Sequence, residues 1–326
     1  MPKLSVIVLI YNTEKYIERC ARSLFEQTLD DIEYVFVNDC TPDDSINKLQ
    51  SIIDAYPSRR NQVKILHHEV NRGQAQARKT GMLAATGDYV IHCDSDDWVD
   101  SEMYEKLYTY AEKNNFDMVW CDYYNTDGTN NKIIYQTCIP ERRELVGKLL
   151  TGKLMASLCN RLYKSYLHSL PDFVYPTANM TEDFVISLQI ILSSERIGYL
   201  PSPLYYYYKN PNSICNTLNE TRIVSNFQEI IQNTEIAISL LRKNKLYDVL
   251  YEQIACKMLY CKDVLKPLLS KEKYRKLWKM TYQQINEQIW VNPYVRNNTK
   301  IRVFFIKYNF YWMYLLLDKI KKVIRR

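Results

Sequence analysis

Glycine is scarce in this chain, with seven in 326 residues. None belongs to a GxGxxG run, so the turn that lets a dinucleotide pyrophosphate approach a helix N-terminus is missing, and a nicotinamide or flavin oxidoreductase is disfavoured. The nine cysteines (Cys20, Cys40, Cys93, Cys121, Cys138, Cys159, Cys215, Cys256 and Cys261) are scattered singly, with no CxxC and no Cys/His cluster at metal-ligand spacing. They read as reduced thiols of a cytosolic protein. The four histidines, His67, His68, His92 and His168, are equally dispersed and read as structural. No apolar run reaches the about 18 residues of a membrane span. The run Leu4–Ile10 is too short for a signal-peptide core and reads as a buried strand.

What the chain does contain is enough apolar residue, 47% of the total, to bury a large core, and its length suits one large domain plus a smaller appendage. Charge is unevenly divided. Residues 1–200 carry 21 Lys and Arg against 28 Asp and Glu, a net of −7, whereas residues 201–326 carry 22 against 9, a net of +13. A basic half attracts nucleic acid, anionic lipid or acidic substrate alike. No nucleic-acid-binding signature accompanies it, so nucleic acid is not an expected partner.

Along the first 125 residues, short apolar runs alternate with helix-like stretches, the pattern of a mostly parallel sheet flanked by helices. Strands are expected at Ser5–Leu9, Tyr34–Val37, Val63–His67, Tyr89–Cys93 and Asp117–Cys121, and helices over Tyr16–Gln27 and Asp43–Ala55. A third helix follows Asn71-Arg72-Gly73 and stops at Thr86-Gly87, with Gly87 as its C-terminal glycine. Asn125–Lys132 reads as a loop or hairpin turn with Asp127-Gly128 at the tip, and 141–170 as irregular helix. A helix is expected after Thr181; Pro201 and Pro203 end that region, and Tyr205–Tyr208 reads as a strand. From about Asn219 onward the pattern is long and helical.

The strongest local signal is His92-Cys93-Asp94-Ser95-Asp96-Asp97-Trp98, where a strand ends in three carboxylates within four positions. Carboxylates this close raise one another's pKa, so the cluster makes sense when Mg²⁺ or Mn²⁺ neutralises it and a diphosphate completes the oxygen shell. The alternative is an acidic cap on a following helix, with Asp94 or Ser95 at the N-cap. Asp39, after Val35-Phe36-Val37-Asn38, ends the neighbouring strand on the same sheet edge, where ligands of open α/β sheets bind; it can accept from a base or ribose, or serve only as a turn residue. Tyr11-Asn12-Thr13-Glu14 adds an aromatic face and polar hooks at that edge.

Taken together, Ser5-Val6-Ile7-Val8…Tyr11-Asn12, Val37-Asn38-Asp39, Asn71-Arg72-Gly73…Ala77-Arg78, Ala85-Thr86-Gly87-Asp88-Tyr89 and Asp94-Ser95-Asp96-Asp97-Trp98 resemble the family 2 glycosyltransferases in order and spacing across about residues 4–125. The resemblance implies a GT-A fold and an inverting transfer from a UDP- or dTDP-type sugar donor. Tyr11, Thr13 and Glu14 would border the base and ribose, and Asp39 would hold the base. Arg72 and Arg78 are similar to basic positions near the nucleotide, and Gly73 lets the loop approach closely. Asp96 would meet ribose or metal, and Asp97 or Asp94 would ligate the metal. Thr181-Glu182-Asp183 is similar to the family's Glu-Asp pair, whose Asp is the general base; the alternative is a capping box with Thr181 as N-cap. One departure stands out. The family's Asp-Gly-Ser is here Asp39-Cys40-Thr41, and loss of that glycine alters the turn's demands.

These readings set a catalytic domain over 1–215, with a nucleotide-binding half 1–125 and an acceptor half 126–215, followed by a helical region 216–326. The expected activity moves a hexose or N-acetylhexosamine to a hydroxyl of a glycan or lipid-linked acceptor, in capsule or surface polysaccharide assembly. A catalytically inactive binding or scaffold relative stays open. A sugar nucleotidyltransferase is less favoured, because Tyr11–Glu14 has no glycine to wrap a triphosphate. Residues 301–326 interleave Phe304, Phe305, Phe310, Tyr311, Trp312, Leu315 and Leu316 with Lys307 and a basic run from Lys319 to Arg326. That pattern suits a helix on an anionic membrane surface, placing the protein at the inner face of the cell membrane, or a helix packed on its own domain or on a partner subunit of a homo-oligomer.

Overall fold

The computed structural model describes residues 1–136, 141–210 and 219–324, with side chains to residue 317. Cys138, Cys215, the expected domain boundary at 215/216 and the side chains of the basic run lie outside the described residues. The seven described cysteines are free thiols. The chain divides into two compact units, Met1–Val146 with Leu154–Ser213, and Gly147–Lys153 with Ile214–Arg326.

The first unit is built on four parallel strands, β1 (Leu4–Ile10), β2 (Ile32–Asn38), β3 (Val63–His67) and β4 (Tyr89–Asp94), in the order β3-β2-β1-β4. Strand β1 is buried on both faces, as a central parallel strand is when helices cover each side. Its Val6, Val8 and Ile10 join Ile17, Cys20 and Leu24 of α1 (Ile17–Phe25) and Leu49, Ile52 and Ile53 of α2 (Ser45–Ala55) in one core. Ile7 faces the other way, against Gly81 of α3 (Gln74–Ala84), where a Cβ would come within 2.5 Å of the isoleucine Cγ2. The strands and helices expected over this stretch are present, with ends moved by a residue or two, the usual uncertainty of fraying termini.

Beyond β4 the sheet turns mixed. The edge strand β5 (Trp98–Val99) and α4 (Met103–Asn114) lead to β6 (Met118–Thr126), which turns at Asp127-Gly128 into β7 (Asn131–Ile134), and Gly128 takes the positive φ (100°) that the turn requires. Residues 141–170, expected as irregular helix, contain α5 (Arg142–Leu150) and also β8 (Arg161–Lys164), inserted antiparallel between β4 and β6. Four residues carry too little periodicity to announce a strand. After α6 (Glu182–Ser193), β9 (Ile197–Tyr208) pairs parallel with β6 and antiparallel with β5. Pro201 and Pro203 do not end the segment. They sit inside β9, where its register against β6 slips between Cys121 and Tyr123, and that irregularity accommodates residues that cannot donate to a ladder.

The second unit contains α7 (Glu220–Lys243), α8 (Tyr251–Asp263), α9 (Glu272–Met280), α10 (Asn297–Lys307) and α11 (Tyr311–Ile324). Its interior includes Phe227, Leu241, Leu259, Leu265, Trp278 and Ile285, together with a wholly buried Lys262 whose ammonium lies 3.7 Å from the Trp278 ring centre and donates to Asn286. Burial pulls that amine down to about 7.

Gly87 corrects a second expectation. Helix α3 ends at Ala84 with Ala85 already extended, and Gly87 is not among the residues of positive φ. Its role is close approach: a Cβ there would lie 2.6 Å from the Ser5 amide nitrogen and 2.8 Å from the Leu4 carbonyl carbon, both backbone atoms of β1 that cannot move aside. Gly87→Ala is therefore expected to cost about 1–3 kcal/mol, the range for forced overpacking. Urea unfolding checks this, and an unchanged midpoint would refute it.

Candidate active site

The C-terminal ends of β1, β2, β3 and β4 open on one edge, and loops rise from the first three of them. The first two are laced together. Asn12 N donates to Thr41 Oγ1 (2.8 Å), Thr13 N to Ser45 Oγ (3.2 Å) and Glu14 N to Asp43 Oδ2 (2.9 Å), while Glu14 Oε2 accepts from Asp44 N (3.1 Å). Burial alone would raise the Asp43 carboxyl, but hydrogen bonds from Ser45, Thr41 and the Glu14 amide bring it below its ordinary value. Thr13 and Glu14 thus serve the loop's own architecture, and Tyr11 stands half-exposed beside them. Asn12 (φ 56°) and Cys40 (φ 55°) both hold left-handed backbone. At Cys40, which resembles the position of the glycine in the Asp-Gly-Ser pattern, this is a conformation that glycine takes freely and that costs an L-residue strain.

Asp39 is buried, with both carboxylate oxygens committed to the third loop. Oδ1 accepts from Arg72 N (2.9 Å) and meets His68 Nδ1 (2.7 Å); Oδ2 accepts from Gly73 N (2.8 Å). Gly73 has φ 84°, and a Cβ there would meet the Asn179 amide at 2.5 Å. The Asn179 Oδ1 in turn accepts from Ala75 N at 3.1 Å. This leaves the Arg72 side chain exposed, with no ion pair among the described residues.

Arg78 is the centre of the site. Its guanidinium is buried and donates from Nε to Glu182 Oε1 (3.1 Å), with a second nitrogen 3.1 Å from the same oxygen and 3.9 Å from Asp94 Oδ1. A third nitrogen donates to His92 Nδ1 at 3.1 Å. That contact makes Nδ1 an acceptor and leaves the proton on Nε2, which lies 3.2 Å from the Tyr163 hydroxyl. Burial, reinforced by the Arg78 charge, holds the His92 pKa well below its ordinary value, so the ring is neutral. Burial raises the Glu182 carboxyl, and Arg78 opposes the rise. Glu182 also accepts from Gln74 Nε2 at 2.8 Å.

The three carboxylates at the end of β4 and just beyond it divide by environment. Asp94 is about a third exposed (36%); burial raises its carboxyl, Asp96 and Asp183 add to the rise, and Arg78 opposes it. Asp96 is partly exposed and accepts from Asn210 Nδ2 at 2.8 Å. Ser95 is buried. Asp97 is also buried and turned away: Oδ1 accepts from Tyr208 N (2.7 Å) and Oδ2 from the Tyr205 hydroxyl (2.5 Å), so both oxygens hold β9 in place. Among the described residues, no three His, Cys, Asp or Glu side chains are grouped to hold a metal ion.

Asp183 lies in the first turn of α6, partly exposed, and Oδ1 accepts from the adjacent Phe184 N at 2.7 Å. Its charge is felt at both Asp94 and Arg78. The capping-box arrangement is not formed. Thr181 has φ 67° and, among the described residues, makes no side-chain cap bond and finds no partner for its buried hydroxyl. Reasoning from sequence missed Asp43, His68, Asn179 and Tyr205. Only Asp43 carried a local signal, in the helix-capping run Thr41-Pro42-Asp43-Asp44-Ser45; the others act across distances that periodicity does not record.

The family model described as glycosyl transferase family 2 matches residues 5–169. EpsJ of Bacillus subtilis (strain 168), an uncharacterized glycosyltransferase, is 32% identical over 225 residues, covering 66% of this chain and 63% of EpsJ. The chain therefore spans under two thirds of that relative. Staphylococcus aureus TarS 1–349, solved in complex with UDP-GlcNAc, matches with a TM-score of 0.57 at 17% identity, over 95% of this chain and 88% of that one. Mannosyltransferase PcManGT from Pyrobaculum calidifontis, solved with GDP-Man and Mn2+, gives 0.53 at 16% identity, over 86% and 84% of the two chains. At these identities the likeness shows the fold, which is the GT-A arrangement expected.

The left-handed backbone at Cys40 yields a stability prediction. Cys40→Gly removes a strain of about 1–2 kcal/mol and returns about half of it through the freer unfolded chain. A net gain of roughly 0.5–1 kcal/mol is expected in the urea midpoint, and destabilisation would show that the thiol's contact with the Glu69 carbonyl (3.5 Å) outweighs the strain.

Proposed function

This chain belongs to glycosyl transferase family 2, and from that premise we propose that it moves a sugar from a nucleotide diphosphate donor to an acceptor hydroxyl with inversion. The observation that carries the reading is the convergence of three partly exposed carboxylates from two elements, Asp94 and Asp96 at the end of β4 and just beyond it and Asp183 at the start of α6, around the buried Arg78–Glu182 pair. In this reading the catalytic domain is residues 1–215, its nucleotide half 1–125 and its acceptor half 126–215, with 216–326 as a helical region. UDP is the favoured nucleotide, since TarS was solved with UDP-GlcNAc. The acceptor is a hydroxyl on a glycan or lipid-linked glycan in capsule or surface polysaccharide assembly, and the work is done in the cytoplasm.

Asp183 is the general base. It takes the proton of the acceptor hydroxyl as that oxygen attacks the anomeric carbon, and the diphosphate leaves from the opposite face, so one displacement inverts the centre. Of its two oxygens, one accepts from the Phe184 amide, which fixes the carboxylate's orientation and leaves the other oxygen for the acceptor hydroxyl. Arg72, exposed at the tip of the Asp39-held loop, supplies positive charge to the diphosphate. Tyr11 offers its half-exposed ring to the base. Asp39 and Asp97 act by holding the loop 68–73 and β9, because their oxygens already accept from protein donors.

Mn2+ or Mg2+ fits this donor set. Asp94 and Asp96 present hard oxygen ligands; burial raises the Asp94 carboxyl and the Asp96 charge adds to the rise, a repulsion that a divalent cation relieves. When bound, such a cation neutralises the charge developing on the departing diphosphate. The pairing with GDP-Man and Mn2+ in PcManGT supports the same chemistry.

The test combines calorimetry of UDP-, GDP- and dTDP-sugars, with and without Mn²⁺, with two variants. Asp183→Asn should lower turnover by about a hundred- to ten-thousandfold while donor affinity stays within about twofold. Asp94→Asn should weaken donor binding only when the cation is present. Near-normal transfer by Asp183→Asn removes the base assignment, and failure of the folded wild-type chain to bind any nucleotide sugar removes the transferase reading.

A further inference from the structure

The C-terminal helices carry a feature the transferase reading does not use. Helix α10 is apolar on two faces. Val303 and Ile306 are buried in the second unit, while Ile301, Phe304 and Tyr308, at helical spacing, lie on the exposed side. Phe304 is 46% and Tyr308 50% exposed, their ring centres 4.8 Å apart, and Trp290, 59% exposed, stands 6.3 Å from Phe304. These rings form one contiguous patch. Helix α11 continues the exposure with Trp312, Met313, Leu315, Leu316 and Leu317, of which Trp312 is the most open. Large apolar side chains open to water in such density mark an interaction surface.

Charge selects the partner. From Arg296 to Arg326 the sequence holds nine Lys and Arg against one acidic residue, Asp318. Of these, Arg302 pairs with Asp263 and Lys307 with Glu287, while Arg296 and Lys300 make no ion pair among the described residues, and the sequence continues in a basic run from Lys319. Two copies joined through this surface would set like charges against each other. A bilayer with anionic headgroups complements the cations and takes the Trp, Tyr and Phe rings at the depth where one edge is apolar and the other wet. Among the described residues, no helix is long and apolar enough to cross a membrane.

We propose that α10 and α11, with Trp290, form a docking surface for an anionic lipid bilayer, lying in its interface with the aromatic and leucine side chains inserted and the cations on the headgroups. The proposal does not rest on sugar transfer, so its test leaves that reading untouched.

The full chain is sedimented with vesicles of phosphatidylcholine alone and of phosphatidylcholine with phosphatidylglycerol, at low and high salt, while tryptophan emission is recorded. The wild type should sediment with the anionic vesicles only, with blue-shifted emission, and release as salt rises. Phe304→Ser combined with Trp312→Ser should lower partitioning by about tenfold or more, and Lys321→Glu with Lys322→Glu should lower it by a similar factor. All these positions are exposed or lie in the basic run, and an unchanged thermal midpoint verifies that the fold is kept. Indifference to phosphatidylglycerol, or equal binding by the variants and wild type, overturns the proposal. So does a wild type that ignores vesicles, whether it is a monomer or a dimer dispersed by the same substitutions; the latter result would assign the patch to a second copy of the chain.

Discussion

The site depends on one buried guanidinium. Arg78 on α3 joins Glu182 at the start of α6, His92 in β4 and, at longer range, Asp94 at the end of β4, so α3, β4 and α6 share one cation. A buried charge of this kind is expensive to desolvate, and its partners repay that only in close geometry; removing one partner alone costs about 3–5 kcal/mol. The contacts therefore do more than add stability. They fix where the helix bearing Asp183 starts relative to the strand bearing Asp94. Neutral His92, kept uncharged by burial and by Arg78 itself, and Gln74, which donates to the same Glu182 oxygen, fill the remaining valences.

A second set of contacts does for the loops after β1, β2 and β3 what Arg78 does for the carboxylates. Asp39 gathers the amides of Arg72 and Gly73 and the His68 ring, Asn179 closes on the same loop from the acceptor side, and Asp43 draws the first two loops together. The loops are held at three left-handed non-glycine positions, Asn12 and Cys40 after β1 and β2 and Thr181 before α6. Strained backbone of this kind persists where surrounding hydrogen bonds over-determine it. The loop 68–73 with the start of α3 and the start of α6 are thus one connected body through Asn179, Gln74 and Glu182, a coupling no single motif displayed.

The legible parts of the sequence were those where one physical rule dominated. Strands β1, β2 and β4 are mostly apolar and buried along their length because both of their faces are covered, whereas the edge strand β3 is only partly buried, and helices α1 and α2 repeat apolar residues at the period of a single buried stripe. The unread parts are those where tertiary context overrode local preference. β8 is four residues long and exists because β4 and β6 leave a gap of one strand. Pro201 and Pro203 were read as stops, yet the slipped register of β9 tolerates them. Gly87 was read as a helix terminator, whereas the backbone of β1 excludes any side chain there.

By itself, then, the sequence determined the parallel half-sheet, the family and the roster of carboxylates, because periodicity and motif spacing are properties of neighbouring residues. Only the tertiary structure decided how those carboxylates divide. Asp97 and Asp39 turn inward to amides and hydroxyls, while Asp94, Asp96 and Asp183 remain open. Whether an aspartate faces solvent or a backbone amide is set by residues as far away as Tyr205 and Gly73, and a buried carboxylate stays where its hydrogen bonds are satisfied.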